Sequence, residues 1–229
     1  MKLKYQFILT VPFSILSAIQ GYGQNDLDNY KNQLKLSPAK IIDLINPGLE
    51  VSYERRTGNF STQISAAYLT DVFNISGFSQ LKGFRVGLEE KYFVNIPNKK
   101  IFRQTANFQP YLATNLALSN IDYKFESRFG TEAPDTGIPS NGYLDAFGVK
   151  KQTVALNFRY GFQTIYHQFV FDVSFGIGLK YKNVKHCDRD FPEDKIDESR
   201  HFNVYDIANQ EMNGLTFNLP ATIKIGYVF

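Results

Sequence analysis

The groups best suited to chemistry are concentrated in one segment near the end of the chain, residues 182–216. It carries two histidines, the one cysteine and a series of acids: His186, Cys187, Asp188, Asp190, Glu193, Asp194, Asp197, Glu198 and His201. His186, Cys187 and His201 are ligand types that bind zinc or copper, but their spacing matches no common motif. The acids supply oxygen atoms for calcium, yet they lack the glycine and the ordered spacing of a calcium-binding loop. We therefore predict an acidic, solvent-facing loop that holds no metal and no cofactor.

Nucleophilic catalysis would need a hydroxyl or thiol group beside an ordered base. Cys187 is a lone thiol, Ser199 lies close to His201 in sequence alone, and His167 falls in a predicted turn elsewhere. We predict no catalytic residues. The alternative that stays open is a lipid-modifying enzyme of the outer membrane, an acyltransferase or deacylase that uses the loop histidines. Substituting His186 and His201 and analysing lipid A would separate the two.

Long strands of alternating polarity flank this loop. Apolar side chains take every second position over Phe169–Tyr181, Leu219–Phe229 and Thr153–Gln163, with polar or small residues between them. Weaker alternation covers residues 49–54, 60–68, 84–92 and 109–121. The three clearest runs are longer than the usual strand of ~5–6 residues, and they suit strands that cross a bilayer at a tilt.

The N-terminus predicts an export signal rather than part of the fold. Lys2 and Lys4 precede an apolar stretch, Phe7–Ile19, and Gly21-Tyr22-Gly23 supplies small residues for cleavage. The alternative, a membrane-anchoring helix, would need ~20 apolar residues, and this stretch is much shorter. We predict a signal peptide over residues 1–23, an N-terminal periplasmic segment over 24–33 and a barrel over 34–229.

The composition excludes several classes of protein. The 229 residues include 21 Phe and 14 Tyr with only 21% charged residues, which is unlike a disordered chain. One cysteine cannot form a disulfide framework or a four-cysteine zinc site. A net charge of +3, spread along the chain, predicts no nucleic-acid partner.

Two features predict that lipid surrounds the barrel. Small residues are needed in a narrow, crowded lumen, and five glycines fall on the polar face of the strands: Gly87, Gly161, Gly176, Gly178 and Gly226. The chain also ends at Phe229 on a long alternating strand, which resembles the insertion signal of bacterial outer-membrane barrels. The alternative is a secreted soluble carrier, with the Phe-rich face turned inward around an apolar ligand.

Connection lengths predict the topology. Short inner connections at 57–59 and 166–168, and one at 95–107 that is longer than this topology leads us to expect, alternate with outer connections at 70–80, which is of medium length, and at 122–151 and 182–216, which are long. With both termini in the periplasm the strand number is even, and Leu34–Ile45 is the candidate first strand, although Pro38 lies inside it. The sequence thus predicts an all-β fold, an eight-stranded antiparallel up-and-down transmembrane β-barrel, with long outer loops at about 122–151 and 182–216.

The arrangement resembles the small outer-membrane barrels of the OmpX and OmpA-transmembrane kind. The opening segments KLSPAKIIDLINPGLEVSYERR and FSTQISAAYL, within residues 35–69, are similar to uncharacterised barrel families of Gram-negative bacteria. Those families commonly show a Lys-Leu-x-Pro segment, a Tyr-Glu-Arg strand end and a second strand rich in Ser and Gln. The resemblance implies a barrel in the cell outer membrane, and it carries over no catalytic residues.

Nine charged strand residues are predicted to face the lumen: Glu50, Glu54, Arg85, Glu89, Lys91, Arg159, Asp172, Lys180 and Lys224. Five bases against four acids predict a lumen closed by ion pairs. We therefore predict a structural, adhesion or envelope-complex role. The expected partners are outer-membrane lipid, the barrel-assembly machinery at the strand ending in Phe229, and an extracellular ligand or envelope protein at the loops.

Two other roles remain open. One is an accessory barrel of a secretion or motility machine. The other is a narrow, porin-like pore, whose conductance in planar bilayers would change when Arg159 or Asp172 is neutralised.

Overall fold

The computed structural model describes residues 32–43, 45–71, 78–94, 107–132, 139–189, 195–196 and 210–229. The predicted signal peptide, and residues 24–31 of the segment that follows it, lie outside the described residues. The strands are β1 (Asn32–Leu36), β2 (Gly48–Thr57), β3 (Phe60–Leu69), β4 (Ser79–Phe93), β5 (Asn107–Glu132), β6 (Pro139–Tyr166), β7 (Phe169–Cys187), β8 (Lys195–Ile196), β9 (Met212–Asn218) and β10 (Ala221–Val228). A 3₁₀ turn, Pro38–Lys40, follows β1. Among the described residues, no helix is long and apolar enough to cross a membrane.

The strands form one antiparallel, up-and-down sheet that closes into a ring. Strands β1 to β7 each pair with the next, β7 pairs with both β9 and β10, and β10 pairs with β1. The all-β antiparallel barrel is thus confirmed, with nine strands in the described ring where the sequence predicted eight. The extra count arises because β9 and β10 follow one another along β7 with a break at Leu219 and Pro220. Proline has no N–H to donate to a strand ladder.

The register around the ring sets the tilt of the strands. Following cross-strand partners from Val51 in β2 through β1 leads to Ile225 in β10. Following them in the other direction, through each strand from β3 to β7, leads to Leu215 in β9. The two end points are ten residues apart (225 − 215). An offset of ten residues at ~3.3 Å each, against eight strand spacings of ~4.8 Å, gives a tilt of about 40°.

Burial alternates along each strand, with polar side chains inside and apolar side chains outside. In β2, Glu50, Ser52 and Glu54 are buried, whereas the intervening side chains of Leu49, Val51 and Tyr53 are exposed. The same outward apolar face continues around the ring through residues such as Ile64, Val86, Leu116, Phe158, Phe175 and Ile223. The described barrel therefore has a charged interior and an apolar outer surface.

Both faces reverse their polarity at one level of β5, β6 and β7. Leu118, Val154 and Tyr181 face outward in register with one another, and the next outward residues beyond them are Asn120, Gln152 and Asn183, also in register. Beyond this level apolar side chains also face inward and are buried, including Ile121, Tyr123, Phe147, Val149 and Val184, beside the buried charged residues Asp145, Lys151 and Lys182. The outer part of the wall thus has the polarity of a water-soluble sheet.

The prediction of two outer loops is corrected where the structure describes them, whereas residues 190–194 and 197–209 of the second loop lie outside the described residues. Residues 122–151 form mainly a paired hairpin, because β5 continues to Glu132 and β6 begins at Pro139. Residues 182–216 are also partly strand, since β7 continues to Cys187, β9 begins at Met212, and β8 pairs with β5. The physical reason is the reversal of polarity. The alternation continues along these strands, but the apolar residues move to the opposite face, so a search for one continuous apolar face stops too early.

The predicted first strand, Leu34–Ile45, is also corrected. Strand β1 ends at Leu36, and the Ser37 N–H donates to the Glu50 carbonyl at 3.1 Å. Pro38 then opens the 3₁₀ turn, because its ring fixes φ and it offers no N–H to either neighbouring strand. The chain that leads to β2 is therefore not a strand beyond Leu36.

Candidate functional site: the charged lumen

Four charged side chains meet across the lumen, and we call them the central cluster: Lys35, Glu54, Lys91 and Asp172. Lys35 Nζ lies 2.6 Å from Glu54 Oε2 and 2.7 Å from Asp172 Oδ2. Lys91 Nζ lies 2.7 Å and 2.5 Å from the same two oxygens. The four residues come from β1, β2, β4 and β7, and each is at most 1% exposed. The central cluster therefore joins separate parts of the wall through the interior.

Tyr111 covers one side of the central cluster. Its hydroxyl donates to Asp172 Oδ1 at 2.5 Å, and the centre of its ring lies 4.6 Å from Lys91 Nζ. Gly161 on β6 leaves room for the ring, because a Cβ atom at that position would overlap it. The placement of this predicted lumen glycine is thus confirmed.

Glu89 forms a second set of ion pairs beside the central cluster. Its carboxylate lies 2.8 Å from Arg159 Nη1, 3.6 Å from Lys91 Nζ and 4.0 Å from Lys224 Nζ. Arg159 Nη2 also donates to Asn115 Oδ1 at 3.2 Å. Charges buried in this way are tolerated when they are paired, and Glu89 is paired with all three bases and hydrogen-bonded to Arg159 through Oε2.

Four bases lie nearer the outer end of the lumen. We call Arg85, Lys151, Lys180 and Lys182 the outer cationic cluster. Arg85 Nη1 lies 3.8 Å from Glu50 Oε2, and Lys151, only 4% exposed, donates to Asn46 Oδ1 at 3.4 Å. Within the part of the chain that the structure describes, neither Lys151 nor Lys180 has a carboxylate at salt-bridge distance.

Asp43, between β1 and β2, has its own partners. Its carboxylate lies 3.0 Å from Lys40 Nζ and accepts hydrogen bonds from the amides of Ile45 and Asn46. Partial burial raises the pKa of Asp43, but the charge of Lys40 and these amide bonds outweigh burial and lower the pKa below its ordinary value. Asp43 is therefore a negative charge that pairs with Lys40 and also lies near Lys151 and Lys180 of the outer cationic cluster.

An apolar cluster occupies the interior around the outer mouth. Its buried members are Ala67, Leu69, Phe78, Leu81, Ile121, Tyr123, Phe147, Val149 and Val184. Two of them, Val149 and Val184, lie two residues from Lys151 and Lys182 on the same faces of β6 and β7. The outer cationic cluster is thus next to an apolar surface.

All nine charged residues predicted for the lumen are buried or half-buried there, so that prediction is confirmed. Sequence reasoning missed Lys35, Lys151 and Lys182. The signal for Lys35 was its place between the exposed residues Leu34 and Leu36. Lys151 and Lys182 were hidden because they fall in segments predicted as loops.

Of the candidate loop residues, the structure describes His186, Cys187 and Asp188, which are consecutive at the end of β7. His167 lies in the turn before β7 and His186 near the far end of that strand, where its ring packs against Phe147. Cys187 is half-buried, while Ser199 and His201 lie outside the described residues. Across the described ranges, no group of three or more His, Cys, Asp or Glu residues could hold a metal ion.

No protein-family model and no curated protein matches this chain. Among solved structures, it is similar to a major outer membrane protein from Thermus thermophilus. That similarity covers 87% of this chain and 98% of the Thermus chain, with 8% sequence identity and a TM-score of 0.36. A likeness of this size transfers no function, so the conclusions below rest on the geometry of the chain itself.

Proposed function

We propose that this protein is an outer-membrane β-barrel with a closed, charge-filled lumen. The observation that carries the proposal is the polarity of the wall. Charged residues are buried and apolar residues are exposed up to the level of Leu118, Val154 and Tyr181. Beyond it the outward positions of β5, β6 and β7 become mainly polar, and apolar side chains enter the interior. A barrel surrounded by water at every level would keep the outer polarity throughout, whereas lipid around the lower part accounts for the reversal.

The apolar surface has about the height of a bilayer core. From Phe169 to Tyr181 on β7 there are twelve residue steps, which rise roughly 31 Å at ~3.4 Å per step and a tilt of about 40°. The hydrocarbon core of a bilayer is ~30 Å thick. Exposed aromatic side chains lie at both edges of this surface, as in the aromatic girdles of membrane barrels: Phe60, Tyr92, Tyr166, Phe169 and Tyr227 at one edge, and Tyr68, Phe84 and Tyr181 at the other.

The role that fits this architecture is structural or interactive rather than catalytic. The central cluster fills the lumen with paired charges, which leaves no porin-like channel through it. The hairpin of β5 and β6 extends past the last β4 partner, at Lys124, and offers a surface for adhesion or for an envelope complex. Strand β10, followed by the exposed Phe229, is the segment we expect the barrel-assembly machinery to bind.

The test is fractionation of the expressed protein, followed by gel electrophoresis in SDS with and without boiling. We expect the protein in the outer-membrane fraction, with a faster band before boiling that shifts to the unfolded mobility afterwards. A soluble periplasmic or secreted protein with no mobility shift would overturn the proposal. The search would then turn to an apolar ligand.

A further inference from the structure

Three exposed lysines form a row on the outer surface of the barrel, beyond its apolar part. Lys82 on β4 lies opposite Asp122 on β5, which lies opposite Lys150 on β6. Lys150 in turn lies opposite Lys185 on β7. All three lysines point outward and are exposed, and Lys124 lies two residues farther out on β5. We call Lys82, Lys150 and Lys185 the lysine row.

The charges within the row repel one another. Lys150 and Lys185 are direct cross-strand partners, and the Cβ atoms of such partners are ~4.5–5.5 Å apart. Like charges in this position destabilise a sheet. Asp122 supplies one negative charge to the row, and Glu211 accepts a hydrogen bond from the amide of His186 beside it. Within the described ranges, no carboxylate lies at salt-bridge distance from a lysine of the row.

The lysine row lies at the level expected for lipid headgroups. On β6 and β7, its lysines are four residues beyond Val154 and Tyr181, where the outward face changes from apolar to polar. Four steps of ~3.4 Å at a tilt of about 40° rise roughly 10 Å. On β4, Lys82 is closer, two residues beyond the exposed ring of Phe84. The headgroup region adds ~5–8 Å to each side of the hydrocarbon core, and a long lysine side chain can extend back along the wall to reach it.

We infer that the lysine row binds the phosphate headgroup of an anionic membrane lipid, with Lys150 and Lys185 sharing one phosphate and the acyl chains lying along Val154 and Tyr181. Phosphate oxygens accept charge-assisted hydrogen bonds from ammonium groups, and an anion between the two lysines relieves their repulsion. Basic residues at a membrane surface attract anionic lipid. The inference rests on the proposed membrane location of the barrel, and it assigns such lipid to one side of the wall, β4 to β7.

A lipid fits this surface better than a free anion or an acidic protein. Exposed apolar side chains, including those of Leu118, Val154 and Leu156, lie below the lysine row on the same outward face. One amphiphilic molecule covers both the cationic and the apolar part of this face. A membrane also holds lipid phosphates permanently at the level of the row, whereas a soluble anion has to reach it from dilute solution.

The experiment measures which lipid lies next to the row, using a single tryptophan as the probe. The chain contains no tryptophan, so one introduced residue reports on its own surroundings. The test position is Val154→Trp, four residues from Lys150. The control position is Ile223→Trp on β10, which is also outward and exposed; its partner on β7, Val173, is twelve residues from Lys185 (185 − 173).

The full barrel is reconstituted in bilayers that contain phosphatidylglycerol and phosphatidylcholine, one of which carries brominated acyl chains that quench tryptophan fluorescence. The two lipids have identical chains, so their ratio of quenching does not depend on the depth of the tryptophan. In the Val154→Trp protein, Lys150→Gln with Lys185→Gln removes the two facing charges. Lys150→Arg with Lys185→Arg keeps both charges at the same positions and is the matched control.

We expect phosphatidylglycerol to be preferred at Val154→Trp by about fivefold, the effect of one basic residue near an anionic surface, or by more if both lysines contribute fully. The glutamine pair should abolish the preference and the arginine pair should keep it. At Ile223→Trp the two lipids should quench equally. Equal quenching by both lipids at Val154→Trp, the same preference at both positions, or a preference that survives the glutamine pair would overturn the inference.

Two further outcomes are distinguishable. A preference that inorganic phosphate removes, but sodium chloride of equal ionic strength does not, would show that the free anion binds, which also overturns the lipid site. Absence of quenching by either lipid at both tryptophan positions would instead contradict the proposed barrel in lipid. Each variant is checked first for the heat-modifiable band, and the comparison of the two tryptophan positions tests the inference even where the glutamine pair does not fold.

Discussion

Asp172 is a fully buried carboxylate of the lumen that depends on its neighbours for every hydrogen bond it accepts. It accepts from two ammonium groups, Lys35 and Lys91, and from the hydroxyl of Tyr111. At 1% exposure it has no access to bulk water. Buried ion pairs offset their own desolvation when every member is present, and they become costly when one charge is removed.

Neutralising this carboxylate should therefore destabilise the barrel. We expect Asp172→Asn to lower the free energy of unfolding by about 3 kcal/mol, because it leaves the buried Lys35 paired with Glu54, and Lys91 paired with Glu54 and, at 3.6 Å, with Glu89. The measurement is urea unfolding in detergent micelles, followed by the loss of the heat-modifiable band. The control is Asp122→Asn, the same change at a half-exposed outward position of β5, where we expect about 0.5 kcal/mol or less. Equal costs at the two positions would contradict the central cluster as a structural element.

The sequence predicted which charges face the lumen but not which charges meet. Alternation of period two is enough to place Glu54, Lys91 and Asp172 on one face of their strands. Their contacts depend on the register between strands far apart in the chain, and no local pattern specifies it. Lys35 was missed for a further reason, since its strand has only five residues and ends just before Pro38.

At the scale of elements, the hairpin of β5 and β6 is the largest departure from the predicted arrangement. Its inward residues Tyr123, Phe125 and Phe147 are buried or half-buried, whereas its outward residues Lys124 and Glu126 are polar. A loop was predicted there because the apolar positions change to the opposite face at about Asn120. The change is a consequence of the solvent around the wall, not an end of the strand.

The outer part of this hairpin should be dispensable for folding. We expect a protein in which residues 127–145 are replaced by Asn-Gly to remain heat-modifiable, because Glu126 and Ala146 are already paired and can close a two-residue turn. Binding of cells that carry the barrel to a surface or partner should fall to background if the hairpin is the adhesive element. Loss of the heat-modifiable band would show instead that the hairpin contributes to the core. A variant that folds and still adheres would contradict its proposed role.

At the scale of the whole molecule, we expect the side chains inside the lumen to close the barrel. We expect the purified barrel to show no porin-size conductance in planar bilayers, because the central cluster and the Glu89 ion pairs occupy the lumen. The control is Lys124→Gln, an outward substitution that should leave the recordings unchanged. Stable wild-type channels whose conductance changes in Arg159→Gln would favour the pore alternative over a closed barrel.

The pairing of β1 with β10, which we call the seam, both closes the ring and brings Lys35 into the central cluster. Strands β1 and β10 share four paired positions, from Gln33 with Val228 to Leu36 with Ile225. These partners are up to 195 residues apart (228 − 33), and joining them costs about 5 kcal/mol of chain entropy. Lys35 lies within this short seam. Without Lys35, the two carboxylates of the central cluster, Glu54 and Asp172, would share Lys91 within that cluster. Pairing of β1 with β10 therefore closes the ring and also supplies the second base that balances the charge of the central cluster.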